Sequence, residues 1–293
     1  MKAIVHIPDG FLATPVWAAL DAAAAPAVCL IARRAQRGFD ESKAPLLGVM
    51  GAFVFAAQMI NFPVGLGTST HLVGGALLAF TLGPASASVV MAAILAIQAL
   101  VFQDGGILAL GSNVLNMAVL GVLAGYLPYQ LWGGTRWRRI AIFAGGALSV
   151  AASAVAALSE LLLSGVRMPP SMIGVSLGLF AVSAIAEGAI TVAVIGALDS
   201  IQPGFVRQPA SPRSCALAAI AVVAVLLVST GVLVASALPD GIERLGESHN
   251  FFNAPLSGYQ IAALGEGWLA KAGAGLAGLG LVYGACVLIG RRR

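Results

Sequence analysis

The sequence predicts an all-α integral membrane protein: a bundle of about seven helices followed by a C-terminal hairpin of two, with the N-terminus outside and the C-terminus inside. Three observations carry this prediction. Of 293 residues, 59% are apolar and 10% charged, against about 25% charged in an ordinary soluble domain, and the mean hydropathy is +0.95. Apolar runs close to the ~20 residues needed to cross a hydrocarbon core recur along the chain. Lys and Arg gather in short clusters between those runs rather than along one face, so the net charge of +4 reads as a set of topology signals and implies no nucleic-acid partner.

Taken in order, the runs place helices at about 12–31, 45–60, 113–131, 140–163, 173–198, 215–237 and 272–289. The stretch 71–102 is too long for one ordinary span. Gly83 and Pro84 interrupt it, which favours two short helices. Charge supports the same division. With two helices there, the cluster Arg33, Arg34, Arg37 and Lys43, the cluster Arg136, Arg138 and Arg139, the pair Arg207 and Arg213, and Arg291 to Arg293 all fall inside. With one helix, every cluster after the first inverts. The count is then about nine helices, with Arg167, Arg244 and Lys271 left as isolated outer charges. The first ten residues, MKAIVHIPDG, lack the apolar core of a secretory signal, so insertion is expected to be internal and permanent.

The three cysteines, Cys29, Cys215 and Cys286, lie in apolar runs without CxxC spacing and read as packing residues. The histidines are more informative. His6 in HIPDGFL and His71 in TSTHLVGG sit in Gly- and Pro-rich motifs, and the charge map puts both at the outer face. Two imidazoles there can hold one borderline transition metal, although a histidine near a helix end also serves as a hydrogen-bonded structural residue.

Loop 61–70 and the Gly-rich loop 103–112, which contains Asp104, reach the same face. The second loop is either a re-entrant segment turned toward a cavity or a plain surface turn. Gln58, Gln98, Asn113, Asn116, Glu160 and Glu187 fall in or near apolar spans, where polar side chains need partners. Gln98, Asn113 and Asn61 are candidates for orienting a ligand histidine, and hydrogen bonding between helices would equally explain the first two. Asp9 is expected to cap the first helix or hold a loop amide, with no ligand role.

Residues 201–214, IQPGFVRQPASPRS, turn abruptly polar and read as a linker between a first domain, 1–200, and a C-terminal pair of helices, 215–293. The outer loop of that pair carries His249, expected to be a solvated histidine.

HIPDGFL, NFPV (61–64), GTSTHLVGG (67–75), QALVFQDGG (98–106) and LGSNVLNM (110–117) together resemble the CbiM/NikM family of cobalt- or nickel-binding substrate components of energy-coupling factor transporters, over residues 6 to about 200. PDGIE at 239–243 resembles the PDGLE-type accessory subunit, with Ile242 in place of leucine. The resemblance implies capture of Co2+ or Ni2+ in a bacterial or archaeal plasma membrane. It also implies two kinds of partner within the lipid bilayer system: a transmembrane coupling subunit and a pair of cytoplasmic ATPases. The implied ligands are the N-terminal amine, the backbone nitrogen and ring of a histidine at the second position, and the histidine occupied here by His71. In this sequence the first histidine is residue 6, four peptide bonds too far from Met1. Val5 immediately precedes it, and a GTG start codon read internally gives valine, so the expectation is a chain beginning at position 5, whose amine and backbone complete the set.

No GxxxxGK[ST] phosphate loop is present, so ATP hydrolysis is expected in separate subunits and not in this chain. Ala19, Ala23 and Ala27 give the first helix a smooth face suited to a partner helix or to internal packing. The alternatives are an ion-gradient-driven secondary metal transporter or channel with Glu160 and Glu187 as proton relays, and an intramembrane hydrolase. The absence of HExxH and GxSxG argues against the latter.

Overall fold

Helix α1 (Thr14–Gln36) runs along the outside of the bundle, while α2 (Ala44–Gln58) is buried along nearly its whole length. In a computed structural model, residues 6–37, 39–65, 68–203, 205–206, 214–235, 253–265 and 267–291 are described. Val5, the PDGIE motif and His249 lie outside them, as do Arg207, Arg213 and Arg244. After α2 comes a two-stranded antiparallel hairpin, β1 (Phe62–Gly65) and β2 (Thr68–Thr70), with Phe62 opposite Thr70 and Pro63 opposite Ser69. Then follow α3 (Gly75–Leu82), α4 (Pro84–Ile97, continued by a π turn over Gln98–Phe102) and α5 (Leu110–Trp132, widened to π turns over Val114–Gly121). The chain ends in α6 (Arg138–Leu163), α7 (Pro170–Ile201), α8 (Ser214–Val234) and α9 (Trp268–Arg291).

The expected helices are all present, and seven of them are long and apolar enough to cross a membrane. The chain is therefore a multi-pass membrane protein. The predicted break at Gly83 is found, with Gly83 in a left-handed conformation (φ 80°) between α3 and α4. Two details depart from the sequence reading. The hairpin interrupts an otherwise helical fold, and His71 precedes α3 instead of opening it. Residues 71–74 form no regular element, and Gly74 is left-handed (φ 78°), so α3 is only 8 residues long, about 12 Å, and reaches less than halfway across a hydrocarbon core.

The segment just ahead of this short helix lies in neither helix nor sheet, and its buried amides need partners. Glu187 of α7 supplies them: Val73 N–H and Gly74 N–H donate to its two carboxylate oxygens, each at 2.8 Å. Glu160 of α6 plays a comparable part, accepting from Ser112 Oγ and, at 2.8 Å, from Asn116 Nδ2. Both buried carboxylates are thus committed to holding backbone or neighbouring helices.

Helices α8 and α9 pack on α2 and share its core. Cys286 and Val282 of α9 join the same buried cluster as Phe55 and Met50 of α2 and Val228 of α8. Cys286 is buried, whereas Cys29 and Cys215 are exposed on helix surfaces, where no disulfide partner is found among the described residues. At one end of the bundle the basic residues collect. Arg33 and Arg34 close α1, Arg291 closes α9, and Arg138 Nη2 pairs with Asp199 Oδ2 at 2.7 Å. Loop 103–109 and the histidines occupy the other end.

Gly278 lets α9 touch α2 and α4, since a Cβ there would collide with the rings of Phe55 and Phe102. Gly278→Val is expected to lower thermal stability in detergent by about 1–3 kcal/mol through overpacking. Gly280→Ala, with nothing within 4 Å of the added carbon, should leave the melting temperature unchanged.

Candidate metal centre

His6 enters the site on the segment before α1, and His71 on the segment between β2 and α3. Their ring centres lie 5.5 Å apart with planes tilted by 56°, and the residues are 1% and 3% exposed. Two imidazoles bonded at about 2 Å to one ion have ring centres roughly 4.5 Å apart when cis and roughly 6.4 Å apart when trans. The observed separation falls between these limits.

Both rings are gripped at Nδ1. The Nδ1–H of His71 donates to the carbonyl of Leu72 at 2.8 Å, which in the neutral ring leaves the lone pair on Nε2. Burial, with the adjacent His6 ring second, pulls His71 from an ordinary 6.5 down to about 4, so at neutral pH it carries no proton to expel. His6 Nδ1 faces Asp104 Oδ1 at 3.4 Å, the carboxylate–histidine arrangement that holds a ligand ring in one tautomer. His6 Nε2 is buried and has no hydrogen-bond partner among the described residues. A polar atom so placed costs about 1–3 kcal/mol unless something binds it.

The backbone around His6 is fixed by the Gly-rich loop. Asn113 accepts from Ile7 N–H at 2.7 Å and donates to Ile7 C=O at 3.0 Å, and Gly106 N–H reaches the same carbonyl at 2.9 Å. Asp9 holds loop amides, as one of its two expected roles had it: Ile107 N–H at 3.0 Å and Leu108 N–H at 2.8 Å. Gly105 has φ 89°, and a Cβ there would sit 3.1 Å from His6 Cβ, so glycine serves both the turn and the close approach. Loop 103–112 is therefore not a plain surface turn: the amides of Gly106, Ile107 and Leu108 are taken up by Ile7 and Asp9. Asp21 of α1 adds a further hold, accepting Gly111 N–H at 2.6 Å.

Gln98 reaches the centre indirectly. It donates to Gln58 Oε1 at 3.0 Å, and Gln58 donates to Val73 C=O at 2.8 Å, two residues past His71. Gln98 also donates to the hydroxyl of Tyr259 at 3.4 Å. Asn113 thus holds the backbone of the residue after His6, while Gln98 is linked to the His71 segment only through Gln58. Asn61 is buried before β1 with its side-chain oxygen unpaired.

Two participants were not foreseen. Asp104 was read only as part of the loop, and Tyr259, whose hydroxyl donates to Asp104 Oδ2, was not singled out at all. No local pattern marks Tyr259, because it lies 155 residues from Asp104 in the chain. Burial, and then the Asp104 carboxylate, push its phenol well above its usual value, so it remains a donor.

Comparison with known proteins gives a consistent result. Residues 6–205 match the family model CbiM, described as the cobalt uptake substrate-specific transmembrane region. An Archaeoglobus fulgidus protein assigned as a fused nickel transport protein, NikMN, is 37% identical over 222 residues, 74% of this chain and 73% of that one. The cobalt transport protein CbiM of Acetoanaerobium sticklandii is 31% identical over 208 residues, 68% of this chain and 86% of that one. The crystal structure of a truncated transition metal transporter superposes with a TM-score of 0.60 at 33% identity, over 67% of this chain and 98% of that one.

The protonation of His71 has a measurable consequence. An unfolded chain takes up a proton on this residue near pH 6.5 while the folded chain resists until about 4, so the unfolded state binds more protons over that interval. Stability contributed by the neutral ring is complete above about 6.5 and is lost progressively as pH falls toward 4. Melting temperatures of metal-free protein across that range should decline with acid, and His71→Gln should flatten the decline.

Proposed function

From the chain's membership of the CbiM family of cobalt uptake substrate-specific transmembrane regions, we propose that it is the substrate-capture subunit of an energy-coupling factor importer for Co2+ or Ni2+. The observation that carries this reading is buried His6, whose Nε2 has no hydrogen-bond partner among the described residues, with a second buried imidazole centred 5.5 Å away. The cargo ion is held between His6 and His71, with Asp104 behind one ring and the Leu72 carbonyl behind the other. Where the mature chain begins at Val5, its terminal amine offers a third nitrogen; the His6 amide does not join it, because only Nδ1 closes a small chelate ring with the same residue's backbone nitrogen and Nδ1 is turned to Asp104. Nitrogen donors suit Ni(II) and Co(II), and because the amine must be deprotonated to bind, affinity falls with falling pH.

In this reading, residues 1–200 form the capture domain, 201–214 the linker and 215–293 the accessory pair. The end rich in Arg faces the cytoplasm and the histidine end faces out. A membrane coupling subunit and two ATPases supply the energy. The secondary-transporter alternative asked Glu160 and Glu187 to relay protons. Both Glu187 oxygens are engaged by backbone N–H groups, and Glu160 is held by Ser112 and Asn116, so that alternative has no observation in its favour.

Protein purified without chelator or N-terminal tag is expected to carry about one Co or Ni per chain by metal analysis. His6→Ala and His71→Ala should each lose it, and retention of metal by both variants refutes the site. Intact-mass measurement of native protein is expected to give a chain that starts at position 5; a mass that includes Met1 to Ile4 removes the amine from the ligand set.

A further inference from the structure

Segment 253–265, which joins α8 to α9, does not stay apart from the histidines. Leu256 N–H donates to Val101 C=O at 2.9 Å, Ser257 Oγ donates to Gln103 Oε1 at 2.7 Å, and the Tyr259 hydroxyl donates to Asp104 Oδ2. These three bonds tie the segment to positions 101, 103 and 104, the stretch of chain that ends in Asp104.

Tyr259 is itself immobilised. Its ring stacks on Phe102 with centres 4.6 Å apart and planes 19° apart, and Phe55 lies 6.2 Å away. Its backbone adopts a left-handed φ of 57°, uncommon outside glycine, so the segment is shaped to deliver this side chain. With Oδ2 of Asp104 taken by the phenol, Oδ1 is aimed at His6 Nδ1 at 3.4 Å. Gln98 steadies the phenol oxygen from the other side.

We infer that Tyr259 is a positioning residue of the metal centre, acting through Asp104 on His6, so that the C-terminal part of the chain completes a site whose imidazoles both come from the first part. Tyr259 lies beyond residues 6–205 that match the family model. The inference rests on His6 being a ligand. A partner behind a ligand histidine fixes the ring's orientation and raises its basicity, and losing such a partner typically weakens metal binding by about 10–100-fold. Removing the partner's own anchor is expected to fall at the low end of that range.

The test uses the full chain in detergent, purified without a tag at its N-terminus, titrated with Ni(II) alone, and compares Tyr259→Phe, Asp104→Asn, the double variant and His6→Ala. Tyr259→Phe keeps the stacked ring and removes only the hydroxyl. It is expected to weaken Ni(II) binding by about 10-fold and to shift the ligand-field absorption of the bound ion, with the metal-free melting temperature nearly unchanged. The double variant is expected to bind no more weakly than Asp104→Asn, since both changes break one relay. If Tyr259→Phe binds Ni(II) like the unaltered chain while His6→Ala has lost binding, the inference fails and the two-histidine site stands. Additive losses in the double variant overturn it as well, because the phenol would then act independently of Asp104. Unimpaired binding by His6→Ala sinks the underlying site together with the inference.

Discussion

A hydrocarbon layer offers no water to a backbone that leaves its helix, and this constraint organises the histidine end of the molecule. Irregular stretches there are held by side chains from elsewhere: Glu187 takes the amides of Val73 and Gly74 just ahead of α3, Asp9 takes two amides of the Gly-rich loop, Asn113 takes both polar groups of Ile7, and Gln58 takes the carbonyl of Val73. An unsatisfied group in hydrocarbon costs several kcal/mol, so these residues are what allow His6 and His71 to sit on non-helical chain. The close approach of the two imidazoles is a by-product of that solution. Two segments that could not remain helical were brought together, and each carries one imidazole.

Much of this was legible in the sequence. Apolar run lengths marked the helices, since crossing a bilayer sets a minimum apolar length for a spanning helix, and Gly83 followed by Pro84 announced the break between α3 and α4. His6 and His71 stood out because so few histidines occur in so apolar a chain. Asp9, Gln98 and Asn113 were visible as polar residues in costly places, though which backbone or side chain each would meet was not.

The rest was hidden for physical reasons. The β1–β2 hairpin is 4 and 3 residues long, too short for alternation to rise above the surrounding apolar text. The shortening of α3 depends on Glu187, more than 110 positions away, which no helix propensity at Val73 or Gly74 records. Tyr259 was invisible for the same reason. Its value lies in Asp104, a contact between parts of the chain that the linker at 201–214 makes look independent, and the packing of α8 and α9 into the core around α2 brings them together.

Clamping both imidazoles at Nδ1, in a buried place, also bears on how cargo would leave the proposed site. A side chain that could swing through its rotamers would let an ion go in picoseconds to nanoseconds, whereas loops and helices rearrange over microseconds or longer. Because neither ring can turn without abandoning Asp104 or the Leu72 carbonyl, release has to be an event of the polypeptide itself. In the proposed function, the unloading step is thereby gated by movement of the backbone and not by rotation of a side chain.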